Sequence, residues 1–245
     1  MVRIIKTEFL KLKRYSIIWI GIAATLIGVL LTRFMAIATD GTRHTLSQFS
    51  ENVIWNNFSL IFPATIVLIA GYLVERERTD NTLKNINVIP ISFRKLLLGK
   101  ICVMVFICIL LSVVEFIFTL IVVCLSKYPI LSVMDVFRCL YQMTGMNLLV
   151  FVAVLPIILF TCQKSGGFMK GVIFAFFYGF VGLFAASHNL VNFYPVTAGL
   201  GLINYQGEEG MEYNKGIEFT VILLLFLISA FLITKAKDRV KQVKK

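Results

Sequence analysis

"VERERTDNTLKNINVIPISFRKLLLGK", residues 74–100, is a charge-dense passage set between two apolar stretches, "PATIVLIAGYLV" (63–74) and "ICVMVFICILL" (101–111). Thr79 or Asp80 can cap a helix start, leaving "NTLKNINV" as about two turns. Pro90 disfavours helical geometry at Ile89, so the short helix ends there. Ser92 can cap the apolar helix that follows. A polar helix with its own start and stop, flanked by apolar runs long enough to cross a bilayer, places the passage on a membrane surface and its flanks inside the membrane.

The rest of the chain agrees. Of 245 residues, 58% are hydrophobic and 15% charged, with a mean hydropathy of +0.87. Soluble domains run at about 45–50% apolar and about 25% charged, and a soluble fold would need several core helices that are apolar on every side. A membrane helix needs about 20 apolar residues to cross about 30 Å of hydrocarbon. Six segments meet this: 15–36, 53–74, 96–125, 137–162, 168–188 and 217–234. The first has a basic start and an Ala36-Ile37-Ala38 imitation of a cleavage site, but it exceeds the about 7–15 apolar residues of a signal peptide and is read as a true span. The phenylalanine-rich run "FAFFYGFVGLF" lacks period-two alternation, which favours helix over strand. The expected fold is an all-α membrane protein: one transmembrane domain over residues 1–245 with six spans.

Orientation follows from the basic residues. Arg3, Lys6, Lys11, Lys13 and Arg14 precede the first span. Arg76, Arg78, Lys84, Arg94, Lys95 and Lys100 lie between the second and third, and Lys164 and Lys170 between the fourth and fifth. Lys235, Lys237, Arg239, Lys241, Lys244 and Lys245 follow the sixth. These alternate segments hold 19 of the 24 basic residues, so they share the cytoplasmic side and both termini are expected there. The net charge of +11 belongs to this asymmetry and calls for no nucleic-acid partner. The destination is a cell membrane, with lipid around the spans.

Chemistry-bearing motifs are scarce. Cys102, Cys108, Cys124, Cys139 and Cys162 are an odd set in apolar surroundings without a C-x-x-C pair, and read as small hydrophobes. His44 and His188 belong to no metal-ligand spacing, so no metal site is expected. Gly99-Lys100 in "LLLGKI" lacks the preceding glycine and following hydroxyl of a phosphate-binding loop. No catalytic residue and no bound cofactor is expected.

Two surface elements stand out. In 74–100, Glu75, Arg76, Glu77 and Arg78 are followed by a polar helix carrying Leu83, Ile86, Val88 and Ile89, a mixture that suits docking to another protein. At the start, "VRIIKTEFLKLKRY" repeats Val2, Ile5, Phe9 and Leu12 at three- and four-residue steps with Lys6, Lys13 and Arg14 off the stripe. That is the pattern of a helix lying in the membrane interface.

With these elements the chain resembles an ABC-2-type permease: the opening "EFLKLKR", six spans with both ends inside, and the "ERERTDNTLKNINVIPISFRKLLLGK" loop after the second span. Within that superfamily it is most similar to permeases of bacitracin-resistance and lantibiotic-immunity exporters of the bacterial plasma membrane. The resemblance implies that segment 79–89 is a coupling helix docked on an ATPase, with Glu75, Arg76, Glu77, Arg78, Thr79, Asn81, Thr82, Leu83, Lys84 and Ile86 at that contact. It implies two ATPase subunits that hold ATP and magnesium, paired with this permease and a second copy or a related one. It further implies a central cleft near spans one, two and five, with Asn56, Asn57, Ser59, Thr65 and Tyr178 as lining residues. The cargo it implies is an amphiphilic antimicrobial peptide. Another hydrophobic drug, a lipid or an ion, or a secondary transporter without ATP, are the alternative readings.

Glu115 in "LLSVVEFIFTL" is the only carboxylate well inside a span. Two readings stand: a pathway residue for a cationic peptide, or a hydrogen-bonded group that holds helices together. Small residues Gly21, Ala24 and Gly28, and Gly171, Ala175, Gly179, Gly182 and Ala186, mark close-packing faces, within one subunit or at a dimer seam. Pro63 and Pro156 are expected to bend their helices. Residues 189–216 are too apolar for a plain solvent loop and too broken for a seventh span, and short interfacial or re-entrant helices are expected there.

Overall fold

Burying backbone N–H and C=O groups in hydrocarbon leaves a spanning chain no choice but internal hydrogen bonding, and the computed structural model meets this with helices. It describes residues 2–12, 16–39, 45–79, 93–130, 132–161, 166–188, 190–207 and 211–235, and no strand occurs among them. We label the helices α1 (Val2–Leu12), α2 (Ile17–Thr39), α3 (Leu46–Asn56), α4 (Phe62–Thr79), α5 (Phe93–Leu125), α6 (Val133–Thr161), α7 (Phe168–Ser187) and α8 (Lys215–Lys235), with a π-helical turn over Asn57–Ile61 joining α3 to α4.

Six helical segments are long and apolar enough to cross a membrane: Ile17–Ala38, Leu46–Arg76, Arg94–Leu125, Val133–Thr161, Phe168–Ser187 and Lys215–Lys235. Their number is the expected six, and one start differs informatively. The second begins at Leu46 rather than at 53. Thr45 caps α3 through a capping box in which its hydroxyl accepts from the Gln48 N–H and the Gln48 side chain accepts from the Thr45 N–H, so the helix starts before the continuous apolar run does. The face of α3 carrying Leu46, Phe49, Val53 and Ile54 is buried, while Gln48 and Asn52 are exposed.

The π-helical turn has a local cause. Pro63 lacks the N–H that would bond the carbonyl four residues back, and the Phe62 N–H bonds the Asn57 carbonyl instead. The widened turn leaves the Phe58 and Ser59 carbonyls facing α7. A β-carbon on Gly179 would lie 2.7 Å from the Ser59 carbonyl oxygen, so only glycine lets the two backbones approach this closely.

Gly171, Ala175, Gly179, Gly182 and Ala186 form the buried face of α7, packed on α4 and the π turn. Phe174, Phe177 and Phe184 point away, each more than half exposed. On α2, a β-carbon at Gly21 would meet Ile69 and Leu111, and one at Gly28 would meet Ile61. Both small-residue stripes therefore serve packing inside this chain.

Consecutive spans run in opposite directions. At one end lie α1, the end of α4, the start of α5 and the start of α7; we call it the basic end. At the far end, the Leu46 N–H bonds the Pro129 carbonyl at 3.2 Å, and Arg33 hydrogen-bonds the Tyr128 hydroxyl with its guanidinium 5.0 Å from the ring centre.

Residues 190–207 close the far end as a compact cap. In place of the expected short interfacial or re-entrant helices it holds a single 3₁₀ turn, Thr197–Gly199, among successive tight turns. The Thr197 hydroxyl donates to the Val191 carbonyl at 2.8 Å, and the Tyr205 N–H to the Leu200 carbonyl at 3.0 Å. Val191, Val196, Ala198, Leu200, Ile203 and Tyr205 are buried beneath it. The cap is tied to α6 by Gln142, whose Nε2 donates to the Asn204 carbonyl at 2.9 Å, and by Arg138 Nη2, which reaches the same oxygen at 3.2 Å.

Candidate functional site

At the basic end a charged pair is built into the apolar junction of three helices. Glu8 of α1 and Lys100 of α5 are 7% and 5% exposed. Lys100 Nζ donates to Glu8 Oε2 at 3.1 Å and to the Leu73 carbonyl of α4 at 3.2 Å. Lys11 donates to the other carboxylate oxygen of Glu8. Burial alone would raise the Glu8 pKa, but the attraction of Lys100 and the hydrogen bond and charge of Lys11 outweigh it and hold the carboxyl below its ordinary range. Gly99 makes the close approach possible, since a β-carbon there would lie 2.9 Å from Ile4 Cγ2. Phe9 packs edge-on against Phe106 with centroids 4.8 Å apart. Helix α1 is thus fixed to α4 and α5.

Neighbouring residues extend this junction. Glu75 Oε1 accepts from the Gly166 N–H at 3.0 Å, linking α4 to the turn before α7. Arg76 Nη1 donates to the Tyr72 hydroxyl at 2.6 Å, with its guanidinium 5.7 Å from that ring. Of the other residues assigned to ATPase coupling, Glu77, Arg78 and Thr79 complete the last turn of α4. Asn81, Thr82, Leu83, Lys84 and Ile86 lie outside the described residues.

Inside the bundle a second polar constellation joins the π turn, α5 and α6. Asn147 Nδ2 donates to Glu115 Oε2 at 2.7 Å and to Ser112 Oγ at 3.0 Å. Asn57 Nδ2 donates to Asn147 Oδ1 at 3.2 Å, and Ser112 Oγ donates to the Cys108 carbonyl at 2.7 Å. All four residues are buried in the chain. A charged group at the bilayer centre costs about 2.5–3.5 kcal/mol on insertion scales, and here amide N–H groups meet the carboxyl instead of lipid.

The six pathway candidates therefore separate. Asn57 and Glu115 come together, bridged by Asn147. Asn56 turns to α2, where its Nδ2 donates to Thr32 Oγ1 at 3.0 Å. Ser59 is buried, and its hydroxyl donates to the Trp55 carbonyl at 2.7 Å within its own helix. Thr65 is buried on α4. Tyr178 is half-buried beside the cap; its carbonyl accepts from the Tyr194 hydroxyl at 2.5 Å, and the two rings are 5.4 Å apart. Sequence reading missed Glu8, Lys100, Ser112 and Asn147. The signal for Glu8 was its spacing four residues before Leu12, which puts it on the buried stripe of α1. For Asn147 it was an amide placed mid-span in "QMTGMNLLV".

Residues 4–182 match the family described as ABC-2 family transporter protein. No curated protein and no solved structure matches the chain. The match covers well over half of the chain, and the protein belongs to the ABC-2 transporter family. It is a membrane permease subunit, and its family implies a partner ABC ATPase.

Proposed function

We propose that this chain is the six-helix half of an ATP-driven exporter that removes an amphiphilic antimicrobial peptide from a bacterial plasma membrane, protecting the cell. The basic end faces the cytosol. Two ATPase subunits, holding ATP and magnesium, grip segment 79–89 of two permeases, this chain and a second copy or a relative. ATP binding moves the segment, the helices rock, and a cleft between the two permeases opens outward. Asn56, Asn57, Ser59, Thr65, Glu115 and Tyr178 belong to the helices that move around that cleft.

The observation that carries this reading is the Glu8–Lys100–Leu73 junction. It ties α1, the end of α4 and the start of α5 into one unit on either side of the segment that the ATPase would grip, so a push there reaches the second and third spans together. Co-purification tests it. The native permease should retain an ATPase subunit through detergent extraction, and Leu83→Asp or Ile86→Asp should release it while the permease stays folded. Retention by both variants would overturn the assignment of 79–89 as the contact.

A further inference from the structure

The far end holds a cavity of about 230 Å³ lined by Gln48, Glu51, Asn52, Trp55, Tyr205, Gly207 and Met211. Four of these come from α3 at spacings of three and four, so successive turns of one helix form its wall. The opposite wall is the end of the cap. Trp55 and Tyr205 lie nearly parallel, 22° apart with centroids at 6.2 Å, and the Tyr205 hydroxyl donates to the Glu51 carbonyl at 3.3 Å. Gly207 adopts φ +55°, and a β-carbon there would lie 2.8 Å from the Tyr213 hydroxyl, so the wall cannot carry a side chain at this point.

The decisive feature is Glu51. Its Oε1 is buried and has no hydrogen-bond partner among the described residues. Arg138, the cation whose charge acts on Glu51, gives its Nη2 to the Asn204 carbonyl. Glu51 lines the cavity together with two amide side chains and two aromatic rings; the Gln206 backbone N–H meets its carboxylate, and Oε1 is left unbonded. A carboxylate whose nearest cation gives its hydrogen bond elsewhere keeps an acceptor to fill, and aromatic faces attract cations by about 0.5–2 kcal/mol. A cation with N–H donors and a short apolar stem meets all three demands. The volume is below the about 300–1,000 Å³ of sites that enclose a drug-sized molecule, so it admits one side chain or headgroup, not a whole peptide.

We propose that this cavity is a binding site for an alkylammonium group, with Glu51 as its counter-ion and Trp55 and Tyr205 flanking its stem. Such a group is carried by the lysine side chain of a cationic peptide and by the ethanolamine headgroup of a lipid. The ammonium chemistry stands apart from the export reading, and only a role for the site in receiving the exported peptide rests on it.

The chain has two tryptophans, and Trp19 on α2 is exposed away from the core, so Trp19→Phe leaves Trp55 as a reporter in the cavity. Full-length W19F protein in phosphatidylcholine nanodiscs is titrated with N-acetyl-lysine-amide and with the same compound acetylated on its side-chain nitrogen. A saturable change in Trp55 emission is expected for the free amine alone. Glu51→Gln should weaken it at least tenfold, and Arg138→Gln, which removes a competing cation, should tighten it. Loss of structure could not produce that second result. Nanodiscs containing phosphatidylethanolamine separate the sources. If the headgroup already shifts the Trp55 emission in a Glu51-dependent way, the occupant is lipid; if only the lysine probe does, it is peptide. Both support the site. Equal response to the acetylated compound, or no Glu51-dependent response to either amine, overturns it. Because no ATPase is present, failure here leaves the co-purification result untouched.

Discussion

Glu8 and Lys100 sit 92 positions apart in the chain, and neither names the other as its partner. Their pairing depends on how α1 rotates and where it lands, which no local pattern encodes. Glu115 was legible because a lone carboxylate inside a span demands a partner, but its partners Asn147 and Ser112 are common span residues whose role depends on helix facing. These pairs make firm predictions. Lys100→Met leaves the Glu8 carboxylate with only the partly exposed Lys11 as counter-charge, a loss smaller than that of a buried charge left wholly uncompensated and on the order of 1–3 kcal/mol. Thermal unfolding in detergent should show a loss of that order, and Glu8→Gln together with Lys100→Met should recover part of it. The pH dependence has a definite sign. The Glu8 carboxyl is held below its ordinary value, so its stabilisation is complete above the unfolded-state pKa and is lost as pH falls through the lowered folded value. Release of α1, read by a spin label or fluorophore on Lys6, is expected on acidification below the ordinary carboxylate range and not near neutrality. Asn147→Leu removes the amide that donates to Glu115 and Ser112 and accepts from Asn57, and an unsatisfied buried group costs about 1–3 kcal/mol. Replacing Glu115 by Gln tests its function separately. Resistance to the peptide, at matched membrane abundance, should fall if Glu115 takes part in transport, and unchanged protection removes it.

At the level of elements, all six spans were legible, because length and hydropathy alone decide them. The one misplaced start, at Leu46, was hidden by α3 itself. "LSQFSENVIWN" mixes polar and apolar residues because one side faces the cavity and cap while the other is core. Its capping box is testable: Thr45→Ala should cost about 1 kcal/mol and weaken any ligand response in the neighbouring cavity by loosening the first turn. Pro63 was legible as a disturbance of its helix, but the close approach of Gly179 to the π turn depends on how α7 packs. Gly179→Ala drives a β-carbon to 2.7 Å from a backbone oxygen, which no rotamer change relieves. Overpacking of this kind costs about 1–3 kcal/mol, measurable in the same unfolding assay. The cap over 190–207 escaped sequence reading because it is held by side chains from α6, Gln142 and Arg138, that lie about sixty residues upstream in sequence.

For the whole molecule, the alternation of basic loops sets a direction that labelling can check. In a cysteine-free background, Lys127→Cys at the far end should react with a membrane-impermeant maleimide in intact cells. Lys170→Cys at the basic end should react only after permeabilisation. The reverse pattern would overturn the cytosolic placement of the basic end. The broad exposed faces of α2, α7 and α8, rich in Phe, Ile and Leu, are what a lipid-bathed bundle requires. The buried charge between α1 and α5 also imposes an order on biogenesis. While the ribosome is still producing the first two spans, the amino-terminal helix has a carboxylate and no Lys100 to receive it. Until the third span has been threaded, Lys11 of the same helix is its counter-charge, and the helix can settle only afterwards. Truncated nascent chains arrested before residue 100 should therefore leave that helix open to protease, and chains arrested well after it should protect it.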